Sequence, residues 1–267
     1  MSAVSEQVLL ADVLTLARRA GDAILAVYAQ HFEVTTKDDR SPLTLADLRS
    51  HEIIEQGLRA LTPDIPVLSE ESSAIAFEQR RRWKRFWLVD PLDGTKEFVS
   101  RNGEFTVNIA LIDGHAPALG VVHVPVQGVT YAGVRGGGAH RWHDREKQCI
   151  QVRVPAATPL RIVGSRSHRG DSLDRVLPRL EPYELVAVGS SLKFCMVAEG
   201  SADFYPRFGP TSEWDTAAAQ AVVEAAGGAV VKPDGSPLDY NTKAELLNPH
   251  FLVYGDRSRD WLRALPN

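Results

Sequence analysis

The chain has 267 residues, 44% hydrophobic and 24% charged, a balance that excludes a disordered or low-complexity protein. A formal net charge of -4 offers no basic surface, which excludes a nucleic-acid polymer as partner. Two cysteines without metal or redox pairing, no apolar run near the ~20 residues of a membrane span, and no basic-then-apolar leader predict a cytoplasmic protein without a transmembrane segment.

Leu9 to Tyr28 carries Leu, Val, Ala and Ile at helical spacing, with Arg18, Arg19 and Asp22 on the other face. A polar stretch with Lys37-Asp38-Asp39 follows, then a second amphipathic helix over Thr44 to Leu61, stopped by Thr62-Pro63. Ile65 to Leu68 and Phe86 to Val89 are short apolar runs, each ending in carboxylates. Thr106 to Ile112, Ala118 to Val124 and Val129 to Val134 are β-branched runs broken by Gly and Pro, the pattern of an antiparallel meander. Beyond a break at Val154 to Pro159, strands at 161–164, 184–188 and 202–205 alternate with helices at 171–180, 191–199 and 216–226. The expected fold class is α/β, an α+β layered sandwich. Its two tightly associated halves are 1–154, with the acidic motif, and 155–267, with Asp215 and pocket residues.

The chemistry concentrates at Asp90-Pro91-Leu92-Asp93-Gly94-Thr95. Pro91 lacks an N–H and Gly94 accepts a positive φ, so the chain turns sharply with two carboxylates and the Leu92 carbonyl converging. Such oxygens suit a hard divalent cation, Mg²⁺ before Zn²⁺. The competing reading is an Asp-rich turn that caps a helix. Asp215, at the start of the Ala-rich helix, reads equally as a first-turn acid, and Asp47 as a helix-start acid. If Glu70, Asp90, Asp93 and Asp215 converge, they would repel and raise one another's pKa without metal, so metal should bind poorly at acid pH. His51, His115, His123, His140 and His143 have no zinc spacing.

Together with Glu70-Glu71 before it and Trp214-Asp215-Thr216-Ala217-Ala218 after it, this motif resembles the inositol monophosphatase superfamily. Lys96-Glu97-Phe98, Arg101 to Ile112, Gly189 to Cys195 and Tyr205 to Pro210 are similar to its bacterial 3'(2'),5'-bisphosphate nucleotidase branch, the CysQ type. The resemblance implies that fold, two or three Mg²⁺ per site, and inhibition by Li⁺ and Ca²⁺. It also implies hydrolysis of a small phosphorylated nucleotide, namely adenosine 3',5'-bisphosphate or 3'-phosphoadenylyl sulfate, in sulfur metabolism. Glu70, Asp90 and Leu92 would hold one ion, and Asp90, Asp93 and Asp215 the second. Asp47 would be the base, acting through Thr95, with Glu70 also in the catalytic set. Glu70, Leu92, Asp93, Gly94, Thr95 and Asp215 would meet the substrate phosphate. Lys37, His168, Ser191, Lys193 and Arg207 are candidates for the rest of the nucleotide, although the sequence by itself favours His168 as a surface loop histidine. An inositol-1-phosphatase, a fructose-1,6-bisphosphatase and a non-catalytic metal-stabilised module stand as alternatives. A monomer or homodimer is expected, cytoplasmic or peripheral on the cytoplasmic face of the inner membrane.

Overall fold

The computed structural model describes residues 5–30, 42–144, 146–166, 171–180 and 182–265; Lys37 and His168 lie outside them. The helices are α1 (Glu6–Tyr28), α2 (Pro42–Leu61), α3 (Phe77–Arg80), α4 (Thr95–Val99), α5 (Asp171–Val176), α6 (Leu192–Ala198) and α7 (Glu213–Ala225). A larger sheet runs β1 (Val67–Ser69), β2 (Arg85–Asp93), β3 (Thr106–Asp113), β4 (Ala116–Val124), β5 (Val129–Val134), β6 (Gly138–His143) and β7 (Glu146–Ile150), paired in that order. The β1–β2 pair is parallel and the others antiparallel. The smaller sheet holds β8 (Leu160–Ser165), β9 (Tyr183–Val188), β10 (Phe204–Arg207), β11 (Ala229–Val231) and β12 (Phe251–Tyr254), in the order β11-β12-β10-β8-β9.

Strands of the larger sheet are apolar on both faces because both are covered. Trp87, Val89, Val107, Ile109, Leu111 and Val121 face α1 and α2. Their alternate neighbours Phe86, Leu88, Ala110, Ile112 and Val122 share a core with α6, α7 and the smaller sheet. The far face of the smaller sheet packs on Val176, Leu177 and Trp261. The result is a stack of helices, sheet, helices, sheet and helix. Close approach of α7 needs missing side chains on the sheet. A Cβ at Gly120 would stand 2.1 Å from the Ala218 carbonyl, and one at Gly133 2.5 Å from that of Ala221. The middle helices thus serve both sheets, which makes the association of the halves tight.

Several bounds differ from the sequence reading for local reasons. The second helix starts at Pro42, where a missing N–H costs nothing. The helix expected over 171–180 ends as an α-helix at Val176 and continues as a 3-10 turn over Leu177–Arg179, because Pro178 cannot supply an α-helical N–H. The last long helix begins at Glu213, three residues before Thr216, which moves Asp215 into its first turn.

Candidate active site

In a regular strand, residues three apart point to opposite faces. The β2–β3 ladder breaks that rule where it matters: Asp90 pairs with Asn108 and Asp93 with Thr106, so β2 carries one extra residue there. Pro91, which has no N–H to give the ladder, sits inside this bulge. Asn108 and Thr106 are two apart and share a face, so the bulge brings Asp90 and Asp93 to that face as well. It is the face toward α6 and α7, while the Leu92 side chain packs on the opposite core and leaves only its backbone for the site. Gly94 then turns with φ 95°, and a Cβ there would sit 3.3 Å from the Glu104 carbonyl and the Glu97 carboxylate.

Each acid is fixed by a donor. Asp90 Oδ1 accepts from the Leu92 N–H at 3.0 Å. Asp93 Oδ2 accepts from the Ser191 N–H at 2.6 Å, with Asn108 Nδ2 and Thr106 Oγ1 both at 3.4 Å. Asp215 Oδ2 takes the Ser212 N–H at 2.9 Å, closing a capping box on α7. The capping reading of Asp215 therefore holds, and the charges of Asp93 and Glu70 also act on this carboxylate. Ser50, one helical turn beyond Asp47, donates to the Pro91 carbonyl at 2.7 Å and registers α2 against the bulge. The same helix packs against α4, which starts at Thr95.

The electrostatics are those of a site with too much negative charge. Burial, then repulsion from Asp93, Glu70, Asp215 and Asp47, holds Asp90 well above the carboxylate range. Burial and the charges of Glu71 and Glu70 push Asp47 up to about 8. Burial, with Asp93 next, brings Asp215 to about 8. Burial outweighs the Lys193 ammonium and the Ser191 and Asn108 donors to raise Asp93. Burial and the Glu71 charge take Glu70 to about 7, although this residue faces solvent and screening softens its shift. The buried Asp47 Oδ1 has no hydrogen-bond partner. Among the described residues no three His, Cys, Asp or Glu side chains are gathered closely enough to hold an ion as they stand. All the donors are oxygens and Lys193 and Arg207 offset only part of the negative charge, so the residues fit a hard divalent cation.

A pH dependence follows. The raised pKa values favour the neutral carboxyls in the fold, so their contribution to stability is full below pH about 4 and is lost as pH rises through about 8. Metal-chelated protein should therefore melt at lower temperature as pH rises through this window. Mg²⁺ a hundredfold above its dissociation constant should restore about 2.7 kcal/mol, roughly 5 °C, near pH 8 and less near pH 5.5. Melting scans in EDTA and in Mg²⁺ check this; an equal Mg²⁺ effect at both pH values would exclude the cluster as the ion's seat.

Asp93, Gly94, Thr95 and Asp215 line a cleft of about 320 Å³ together with Lys193, Tyr205 and Arg207. Lys193 is buried, its Nζ donating to the Val188 carbonyl at 3.2 Å and to the Ser190 carbonyl. Burial pulls its pKa down to about 8 against the pull of Asp93. Arg207 donates to the Pro210 carbonyl at 2.8 Å, and its buried Nε has no partner. Ser191 also lines the cleft; its hydroxyl bonds Thr106 and Asn108, each at 2.9 Å, and its amide holds Asp93. Sequence reasoning missed Ser50, Thr106 and Asn108. The last two carried a signal, being the polar pair at i and i+2 in an otherwise apolar strand.

The inositol monophosphatase family model matches residues 5–259. The 3'(2'),5'-bisphosphate nucleotidase CysQ of Escherichia coli O157:H7 is 52% identical over 247 residues, 92% of this chain and 99% of that protein. The protein of the same name from Haemophilus influenzae is 40% identical, over 95% of each chain. Among solved structures, CysQ from Bacteroides thetaiotaomicron superposes with a TM-score of 0.86 at 40% identity, covering 94% of this chain and 98% of that one. By sequence and by fold, the chain belongs to the inositol monophosphatase family.

Proposed function

We propose that the chain is a Mg²⁺-dependent 3'(2'),5'-bisphosphate nucleotidase that converts adenosine 3',5'-bisphosphate to AMP and phosphate. The observation that carries this reading is the bulge that turns Asp90 and Asp93 toward Asp215, in a cleft that also holds two buried cations. The names of its relatives support the substrate class. Glu70, Asp90 and the Leu92 carbonyl would hold one ion, and Asp90, Asp93 and Asp215 another. When bound, such ions activate a water and shield the phosphoryl and leaving oxygens. Asp47 takes the proton of the attacking water by way of the Thr95 hydroxyl, and the Gly94 and Thr95 N–H groups donate to phosphate oxygens. Lys193 and Arg207 hold the second phosphate, the unpaired Nε of Arg207 being a donor that awaits an anion. Inhibition by Li⁺ and Ca²⁺, action on 3'-phosphoadenylyl sulfate, a place in sulfur metabolism and a cytoplasmic location belong to the same reading. So does the division of the chain at 154/155. No helix among the described residues is long and apolar enough to cross a membrane.

Phosphate release from adenosine 3',5'-bisphosphate and from inositol 1-phosphate tests the assignment, with Arg207→Ala as the probe. Losing a charge-assisted hydrogen bond costs about 1.5–3 kcal/mol, so KM for the bisphosphate should rise roughly ten- to a hundredfold. Inositol 1-phosphate has no second phosphate or base, so its kcat/KM should change much less. A kcat/KM ratio that Arg207→Ala leaves unchanged would remove Arg207 from the nucleotide site. Wild-type preference for inositol 1-phosphate would replace the substrate class itself.

A further inference from the structure

The turn that enters α6 is tied to the acidic loop from outside the cleft. Glu104, in the segment between α4 and β3, accepts from the Arg166 guanidinium twice, from Nε at 3.0 Å and Nη2 at 2.7 Å. Its Oε2 also accepts from the Gly189 N–H at 2.7 Å. Arg166 follows the last residue of β8 and donates to the Ala187 carbonyl at 2.8 Å through its side chain and to the Val188 carbonyl at 3.3 Å through its backbone. One carboxylate of the first half therefore grips two strand ends of the second. Gly189 is held tightly there, since a Cβ on it would meet Glu97 at 2.4 Å.

What the grip locates is a cation. The Lys193 ammonium is bound by the carbonyls of Val188 and Ser190, the residues on either side of Gly189. Shifting Gly189 shifts both acceptors and hence the charge they hold. Asp93 takes the Ser191 N–H of the same turn, while the β2–β3 ladder, with Asn108 and Thr106, which the Ser191 hydroxyl also bonds, holds it from the larger sheet. The forked geometry gives the pair directional strength that a single ammonium contact would lack. The Arg166 guanidinium keeps Glu104 below its ordinary carboxylate range despite the opposing effect of burial.

We infer that Glu104 and Arg166 are a positioning pair that sets specificity for a substrate with a second phosphate, by fixing where Lys193 stands. The substrate side of this inference rests on the bisphosphate nucleotidase reading; the mechanical side does not. Glu104→Gln should raise KM for adenosine 3',5'-bisphosphate about ten- to a hundredfold, the loss expected for a charge-assisted contact, with kcat near the wild-type value. KM for inositol 1-phosphate should stay close to that of wild type. Arg166→Lys keeps the charge but not the fork and should reproduce the defect, and the double variant should be no worse than either single one. Hydrogen exchange of the peptide spanning 187–193 reads the grip without any turnover, and should speed up in both variants. Accelerated exchange with a wild type that does not act on the bisphosphate would leave the grip standing and overturn the substrate reading. Unchanged exchange, additive defects in the double variant, or parallel changes in KM and kcat for both substrates would overturn the positioning role.

Discussion

Asp93→Asn should abolish Mg²⁺-dependent phosphate release while the protein stays folded. The substitution keeps the side chain's shape and one oxygen, so the Ser191 N–H can retain its acceptor. What goes is the negative charge that acts most strongly, among the neighbouring charges, on both Asp90 and Asp215. Metal ions contribute several kcal/mol to the stabilisation of transition-state charge in such reactions. A loss of about 4 kcal/mol is roughly a thousandfold in rate. The repulsion relieved has the opposite effect on the fold: near pH 8 in EDTA, Asp93→Asn should melt no lower than wild type. Steady-state phosphate release across a Mg²⁺ series, beside melting scans of the same preparation, checks both halves. Turnover within tenfold of wild type at the same Mg²⁺ concentration would exclude Asp93 as a ligand for the working ions. Loss of activity accompanied by a fall in melting temperature would make the residue structural instead.

The acidic motif was legible because its chemistry is local. Pro91 and Gly94 announce a turn, and two carboxylates beside it define the donor type. The reason they converge was less accessible, since it depends on the register between β2 and β3. Once the bulge is known, Asn108 and Thr106 explain themselves as the polar residues opposite Asp90 and Asp93. Long helices and the central strands were readable from periodicity, whereas α4, at five residues, is too short to show any. The β6–β7 hairpin escaped because β7 lies at the sheet edge and exposes Glu146, Lys147, Gln148 and Cys149, with no apolar alternation to betray a strand. Contacts such as Glu104 with Arg166, or Ser50 with the Pro91 carbonyl, join residues far apart in sequence, and only the folded chain places them together.

Asp47→Asn should lower kcat by about a hundredfold to ten-thousandfold, the range for removal of a general base, and leave the Mg²⁺ requirement almost unchanged. Asp47 is buried, with one oxygen unpaired, on the helix that packs against α4 with Thr95 at its start. A base on that path must lose its own proton first. Burial and the neighbouring Glu71 and Glu70 hold the Asp47 pKa at about 8 in the absence of cations, and bound cations would draw it down. Wild-type kcat should therefore rise with pH along an acidic limb that ends below about pH 8, and this limb should vanish in Asp47→Asn. Thr95→Ala, which interrupts the same relay at the hydroxyl, should show a comparable drop. Glu70→Gln is the control that separates roles: as the loss of an ion ligand, it should raise the Mg²⁺ concentration needed for half-maximal activity. The experiment is a matrix of kcat, KM and Mg²⁺ half-saturation for the three variants across pH. If Asp47→Asn shifts the Mg²⁺ requirement as Glu70→Gln does while kcat recovers at saturating Mg²⁺, Asp47 is a ligand and the proton must leave by another route.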